Sequence, residues 1–91
     1  MGTLSGTQVG RTLRGLRGWK GNTAAIRRTF TKRDFVRAMA FVNAVALLAE
    51  RANHHPDIDI RWNRVALTLS THSAGGVTEK DIALARSINA L

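Results

Sequence analysis

The stretch "PDIDIRWNRVALTLSTH", Pro56 to His72, decides the fold. Ile58, Ile60 and Trp62 share one face of its first half. In its second half Val65, Leu67 and Leu69 share one face, while Ala66, Thr68, Ser70 and His72 share the other. A period of two marks half-buried strands. Asn63 and Arg64 between the halves make a two-residue turn, so the segment reads as an antiparallel hairpin.

The residues before the hairpin have a different period. In "KRDFVRAMAFVNAVALLAERAN", residues 32 to 53, a rotation of about 100° per residue puts Phe35, Ala38, Met39, Val42, Val45, Ala46 and Ala49 on one arc. Arg37, Asn43, Glu50 and Arg51 fall opposite. This is a core-facing helix. Val36 and Leu47 land on its polar side and suggest a second, partner-facing patch. Asn53 and then Pro56 end the helix, since proline lacks an amide donor and restricts the residue before it.

Beyond the hairpin, Gly75 and Gly76 break the strand. Thr78 then starts a last helix on which Ile82, Ala85, Ile88 and Asn89 follow helical spacing. At the other end of the chain, Val9, Leu13 and Leu16 form a stripe that predicts a short helix ending near Arg17, after a frayed segment over residues 1–8. "GWKGNTAAIRRTFTK" has turn residues followed by Ile26, Arg28 and Phe30 on one face of a strand. The order helix, short strands, helix, hairpin, helix predicts an α+β layer fold, an antiparallel sheet with helices on one face.

The 91 residues form one domain, 1–91, and a chain this short gains from burying more surface by self-association. With 44% hydrophobic and 22% charged residues the composition is that of a globular protein, which argues against disorder. There is no cysteine, hence no disulfide framework and no thiolate metal site. The longest apolar run, within "AMAFVNAVALLAE", is too short to span a bilayer, and the start of the chain lacks a signal-peptide hydrophobic region. A soluble, cytoplasmic protein with no membrane contact is the expectation.

A net charge of +8 raises the question of nucleic acid. The charge is concentrated. Residues 1–37 carry nine Lys or Arg against the single acid Asp34, whereas residues 38–91 carry five of each sign. The absence of tyrosine, the few aromatics among the basic residues and the lack of a known binding motif count against nucleic acid.

All three histidines, His54, His55 and His72, lie in the electrically balanced part. Adjacent histidines at a helix end diverge, and no pair sits one helical turn apart, so a metal site is not expected. Only the i, i+4 pair Glu50 and His54 keeps a Glu/His/His site open. Taken singly, each residue has a structural explanation. Asp81 stands three residues after Thr78, as in a capping box, and Glu50 suits a solvated helix face. Taken together, imidazoles whose ordinary pKa is about 6.5, an apolar Trp62 and two carboxylates suit proton transfer on a flat substrate. The chain has no serine or cysteine nucleophile pattern, no phosphate-binding glycine loop and no cofactor signature. Unaided acid/base chemistry remains, such as an elimination of water.

The pattern Glu50, three residues, His54-His55-Pro56, five residues, Trp62, nine residues, His72, eight residues, Asp81 resembles the signature of the pterin-4a-carbinolamine dehydratases. Gly18-Trp19, "TFTKRDFVRAMAFVNAVALLAE" and "STHSAGGVTEKDIALARSI" agree, so that the resemblance spans roughly residues 13–90. Seven specified positions at fixed spacing make a strong motif. The resemblance implies four antiparallel strands with three helices on one side, in a homodimer or a tetramer of dimers. It also implies loss of water from a 4a-hydroxytetrahydropterin, with no metal or organic cofactor. On this resemblance His54 and His72 are the acid/base pair and His55 binds and orients the pterin. Glu50, Trp62, Asp81 and Pro56 support or line the site. Some relatives act instead as transcriptional cofactors or assembly factors. The arginine-rich first helix is a departure, since the family more often has acidic residues there.

Overall fold

A computed structural model describes residues 2–91. The elements run α1 (Gly6–Arg14), β1 (Lys20–Gly21), β2 (Ile26–Thr31), α2 (Phe35–Ala52), β3 (Asp57–Arg61), β4 (Arg64–Leu69) and α3 (Glu79–Asn89), with a 3₁₀ turn at His72–Ala74. The four strands form one antiparallel sheet in the order β1-β2-β4-β3.

Strand register explains why the helices cover one face. Ile26 stands opposite Leu69, Arg28 opposite Leu67 and Phe30 opposite Val65; Ile58 and Ile60 of β3 extend the Leu67 and Val65 rows. Ile26, Phe30, Val65, Leu67 and Leu69 are buried against Ala38, Phe41, Val45 and Ala49 of α2, Ile82, Leu84, Ala85 and Ile88 of α3, and Val9 of α1. The alternate positions, Arg27, Thr29 and Thr31 on β2 and Asp57, Asp59 and Arg61 on β3, are exposed. The fold is the expected α+β sheet with three helices.

Four expectations need correction. The hairpin turn is Trp62-Asn63, because Arg61 pairs with Arg64. Trp62 therefore lies off the strand, in the left-handed region at φ 52° and 68% exposed. The buried arc of α2 is rotated from the one expected: Phe41 is in the core, against Phe30 at 4.6 Å between ring centroids, while Phe35 is 49% exposed. The segment expected to fray is tied down from Leu4 onward. Ser5 and Gln8 form a reciprocal capping box and the Leu4 amide donates to the Val77 carbonyl at 2.8 Å, so α1 begins at Gly6 and ends at Arg14. Met1 lies outside the described residues. Finally, β4 stops at Leu69, and His72 sits on the 3₁₀ turn instead of the strand.

Candidate functional site

Two chain reversals bring the histidines together. Helix α2 ends with Asn53 in the left-handed conformation, φ 50° and ψ 45°. The Asn53 amide donates to the Glu50 carbonyl at 3.1 Å and the His54 amide to the Ala49 carbonyl at 3.0 Å. These paired bonds are a Schellman motif, and they fold His54 back under the helix instead of out with Pro56. Across the sheet end, Gly75 at φ 81° closes the 3₁₀ turn and Thr71 bridges Gly76. A Cβ on Gly76 would come within 2.6 Å of the Thr23 carbonyl oxygen, so only glycine fits this approach. The loop thereby returns Thr78 to Thr71.

Asp81 is the junction. It is fully buried at the first turn of α3, and its Oδ2 accepts from the Thr78 amide at 2.8 Å and from the Thr71 hydroxyl at 2.8 Å. Its Oδ1 accepts from His54 Nε2 at 2.5 Å. An ionised carboxylate only accepts, so the proton positions follow. Nε2 of His54 carries hydrogen. The Thr71 hydroxyl, having given its hydrogen to Asp81, accepts from the Thr78 hydroxyl at 2.7 Å. Thr78 Oγ1 in turn accepts the Lys80 amide at 3.3 Å. No buried side-chain polar atom among the described residues lacks a partner. His54 is left with Nδ1 as the nitrogen free to exchange a proton.

The capping role and the site role of Asp81 are thus one arrangement. Thr78 and Asp81 form the expected capping box, and the carboxylate's second oxygen fixes a buried imidazole.

His55 lies outside this network. Its Nε2 meets Glu50 Oε1 at 2.6 Å, with both side chains more than half exposed, a geometry that contributes little to stability. Glu50 therefore partners His55 and not His54, because the turn at Asn53 ends the helical i, i+4 relation. His72 is exposed and has no side-chain hydrogen bond among the described residues.

His54, His55 and His72 line one open cavity of about 280 Å³, with Asn53, Ser70 and Lys80 on its rim. Trp62 does not join them. It lies beyond β3, whose five residues at about 3.3 Å each separate it from Pro56. No group of three His, Asp or Glu side chains among the described residues is arranged to hold a metal ion. A second cavity of about 360 Å³ lies between α2 and α3 and shares His54 and Lys80 with the first. Sequence reasoning missed Lys80 and this second cavity. The only signal was the position of Lys80 beside Asp81 in the capping box.

No described helix is long and apolar enough to cross a membrane.

Comparison with known proteins shows the family and the fold. The model of a family described as pterin 4 alpha carbinolamine dehydratase matches residues 2–91. A protein of Thermomicrobium roseum, provisionally named a pterin-4-alpha-carbinolamine dehydratase, is 52% identical over 88 residues, which are 97% of this chain and 95% of that one. A crystal structure described as a transcriptional coactivator/pterin dehydratase from Brucella melitensis superposes with a TM-score of 0.92 at 43% identity, covering 97% of this chain and 96% of that one. A pterin dehydratase-like protein described as a RuBisCO assembly factor in the alpha-carboxysome superposes with a TM-score of 0.65 at 25% identity, covering 79% and 83%.

Proposed function

Since this chain belongs to the pterin 4 alpha carbinolamine dehydratase family, we propose that it removes water from a 4a-hydroxytetrahydropterin, giving the quinonoid dihydropterin. The observation that carries this reading is a buried His54, oriented through Nε2 by Asp81, facing a cavity it shares with His55 and His72.

The elimination breaks the C4a–O bond and the N5–H bond. One acid gives a proton to the 4a-hydroxyl, which leaves as water; the electron pair of N5 forms the C4a=N5 double bond, and a base takes the N5 proton. His54 through Nδ1 and His72, which lines the same cavity, form this acid/base pair, each serving one face of the ring. Asp81 holds the ring of His54 in place through Nε2. His55, steadied by Glu50, binds and orients the pterin, and Pro56 holds the chain extended as it leaves the site. Acid/base assistance of this kind contributes on the order of 100- to 10,000-fold. No metal or organic cofactor takes part. The product is then available for reduction, as in tetrahydropterin recycling.

The test follows absorbance as freshly generated 4a-hydroxytetrahydropterin dehydrates, with wild-type protein and with a His54→Ala/His72→Ala double variant. Acceleration by the wild type and its near loss in the double variant support the reading. A folded wild type without effect, or a double variant of full activity, sinks it.

A second reading is a non-catalytic scaffold that binds a partner through its basic N-terminal half. It draws on the nine Lys or Arg in residues 1–37 and on the coactivator and assembly-factor descriptions of the two structural neighbours. A salt titration with generic duplex DNA separates the readings. Binding that persists at physiological ionic strength and weakens steeply with added salt favours the scaffold, and its absence there removes nucleic acid as a partner.

A further inference from the structure

The cavity between α2 and α3 has no part in the elimination described above, yet it adjoins the reacting centre. Its walls are apolar, from Leu48 and Ala52 of α2 and Ala83 and Leu84 of α3. Its charged lining residues are both cationic, Arg51 and Lys80, and neither forms an ion pair among the described residues. His54 and Lys80 border both cavities.

Pterin geometry links the two. The reacting atom C4a is bonded to N5, and N5 to C6, which carries the variable substituent of natural pterins. A histidine that reaches the 4a-hydroxyl or the N5 proton therefore has the first atom of that substituent close beside it. The histidine cavity, at about 280 Å³, lies just below the usual range of about 300–1,000 Å³ for small-ligand pockets. It suits the bicyclic ring without a long tail. The space adjoining His54 and Lys80 is the α2–α3 cavity.

We propose that the α2–α3 cavity is the subsite for the 6-substituent, and that it selects tetrahydropterins whose substituent has an apolar stem and an anionic end. The stem lies against Leu48, Ala52, Ala83 and Leu84, and the anion meets Arg51 and Lys80. This inference rests on the dehydratase reading. It adds a substrate class, because a short neutral substituent would leave the cavity and both cations unused.

Two substrates test it, the 4a-hydroxytetrahydropterins bearing a 6-methyl group and a 6-carboxyalkyl chain of four or five carbons. Wild-type kcat/KM is expected to favour the carboxyalkyl substrate by about tenfold, the scale of burying two methylene groups, mainly through KM. Ala83→Phe fills the cavity from an exposed position, and Arg51→Glu reverses the charge of an exposed side chain. Each is expected to reduce the carboxyalkyl-to-methyl preference severalfold, and Arg51→Lys to restore it. A wild type equally active on both substrates, or variants that keep the wild-type preference, overturns the subsite and leaves the dehydratase intact. A wild type inactive on both overturns the two together.

Discussion

His54 and Asp81, 27 positions apart in sequence, share a 2.5 Å hydrogen bond in the interior, and the same carboxylate caps α3 through the Thr78 amide. Folding of the helix terminus and orientation of the proposed catalytic imidazole thus depend on one side chain. Asp81→Asn separates these roles, because an amide has one accepting and one donating end. If its oxygen keeps the Thr78 amide, its NH₂ faces Nε2 and drives the His54 hydrogen to Nδ1. If its oxygen keeps His54, two donors meet at Thr78. The variant is expected to lose about 1–3 kcal/mol of stability, read from urea denaturation, and to slow dehydration at least tenfold while remaining folded. Dehydration at the wild-type rate would show that the orientation of His54 does not matter.

Asn53 carries the turn that aims His54. A left-handed conformation costs an ordinary side chain about 1–2 kcal/mol and is accessible to asparagine and glycine. Asn53→Ala is expected to lower stability by about 1 kcal/mol and to reduce activity, whereas Asn53→Gly retains both. Measured urea midpoints and dehydration rates that do not distinguish Ala from Gly would remove the turn from the account.

Much of this fold is legible from residue spacing, since strands and helices that bury one face must repeat at two or 3.6. The sheet and its three helices follow from that, and the Thr78–Asp81 cap from the capping-box spacing of three. What escapes are features decided by geometry between segments. A one-residue difference in the turn moves Trp62 from the strand to an exposed left-handed position, and neither Trp62 nor Asn63 announces it. Phe41 falls outside the expected arc because the sheet, through Phe30, fixes the rotation of α2. Ser5 and Gln8 form a capping box that small polar composition disguises as a loose end. At the site, the resemblance singles out the three histidines and Asp81, and the structure brings His54, His55 and His72 to one cavity. The pairing of Asp81 with His54 joins segments 27 residues apart and has no local signal. Apart from His54, the adjacent cavity is lined by ordinary Leu, Ala, Ser, Arg and Lys residues, whose types carry no signature.

Asp34 caps α2 and gives a pH dependence whose sign is fixed. Its carboxylate accepts from the Arg37 amide at 2.9 Å and pairs with the Arg37 guanidinium at 2.8 Å. The amide hydrogen bond first, and the Arg37 charge after it, hold its pKa below the ordinary value of 3.8. A depressed acid stabilises the fold above its ordinary pKa, and that contribution is lost as pH falls through the depressed value. Wild type is therefore expected to be more stable than Asp34→Ala at pH 7, with the gap closing as the solution is acidified below the ordinary carboxylate range. A gap that widens on acidification would contradict the assignment.

The outer side of α2 bears on self-association. Val36 is 70% exposed and Leu47 72%, and eleven residues separate them, three helical turns, so they lie on one line of the helix. Ala40 and Asn43, both exposed, fall between them on that line. Spacings of four, three and four residues are those by which helices pack together, and two copies crossing about a two-fold axis would bury Val36 of each against Leu47 of the other. The 9.9 kDa chain is small enough for such burial to matter to its stability. We expect light scattering at micromolar concentration to give a multiple of the chain mass, and a Val36→Glu/Leu47→Glu double variant to fall to a smaller species, since four charges cannot share one apolar seam. The histidine cavity is lined by residues from Asn53 onward and lies beyond this stripe. Dissociation should therefore reduce thermal stability more than the rate of dehydration per chain. A wild type that is monomeric at micromolar concentration, or a double variant of unchanged mass, would leave this face of α2 without a partner copy.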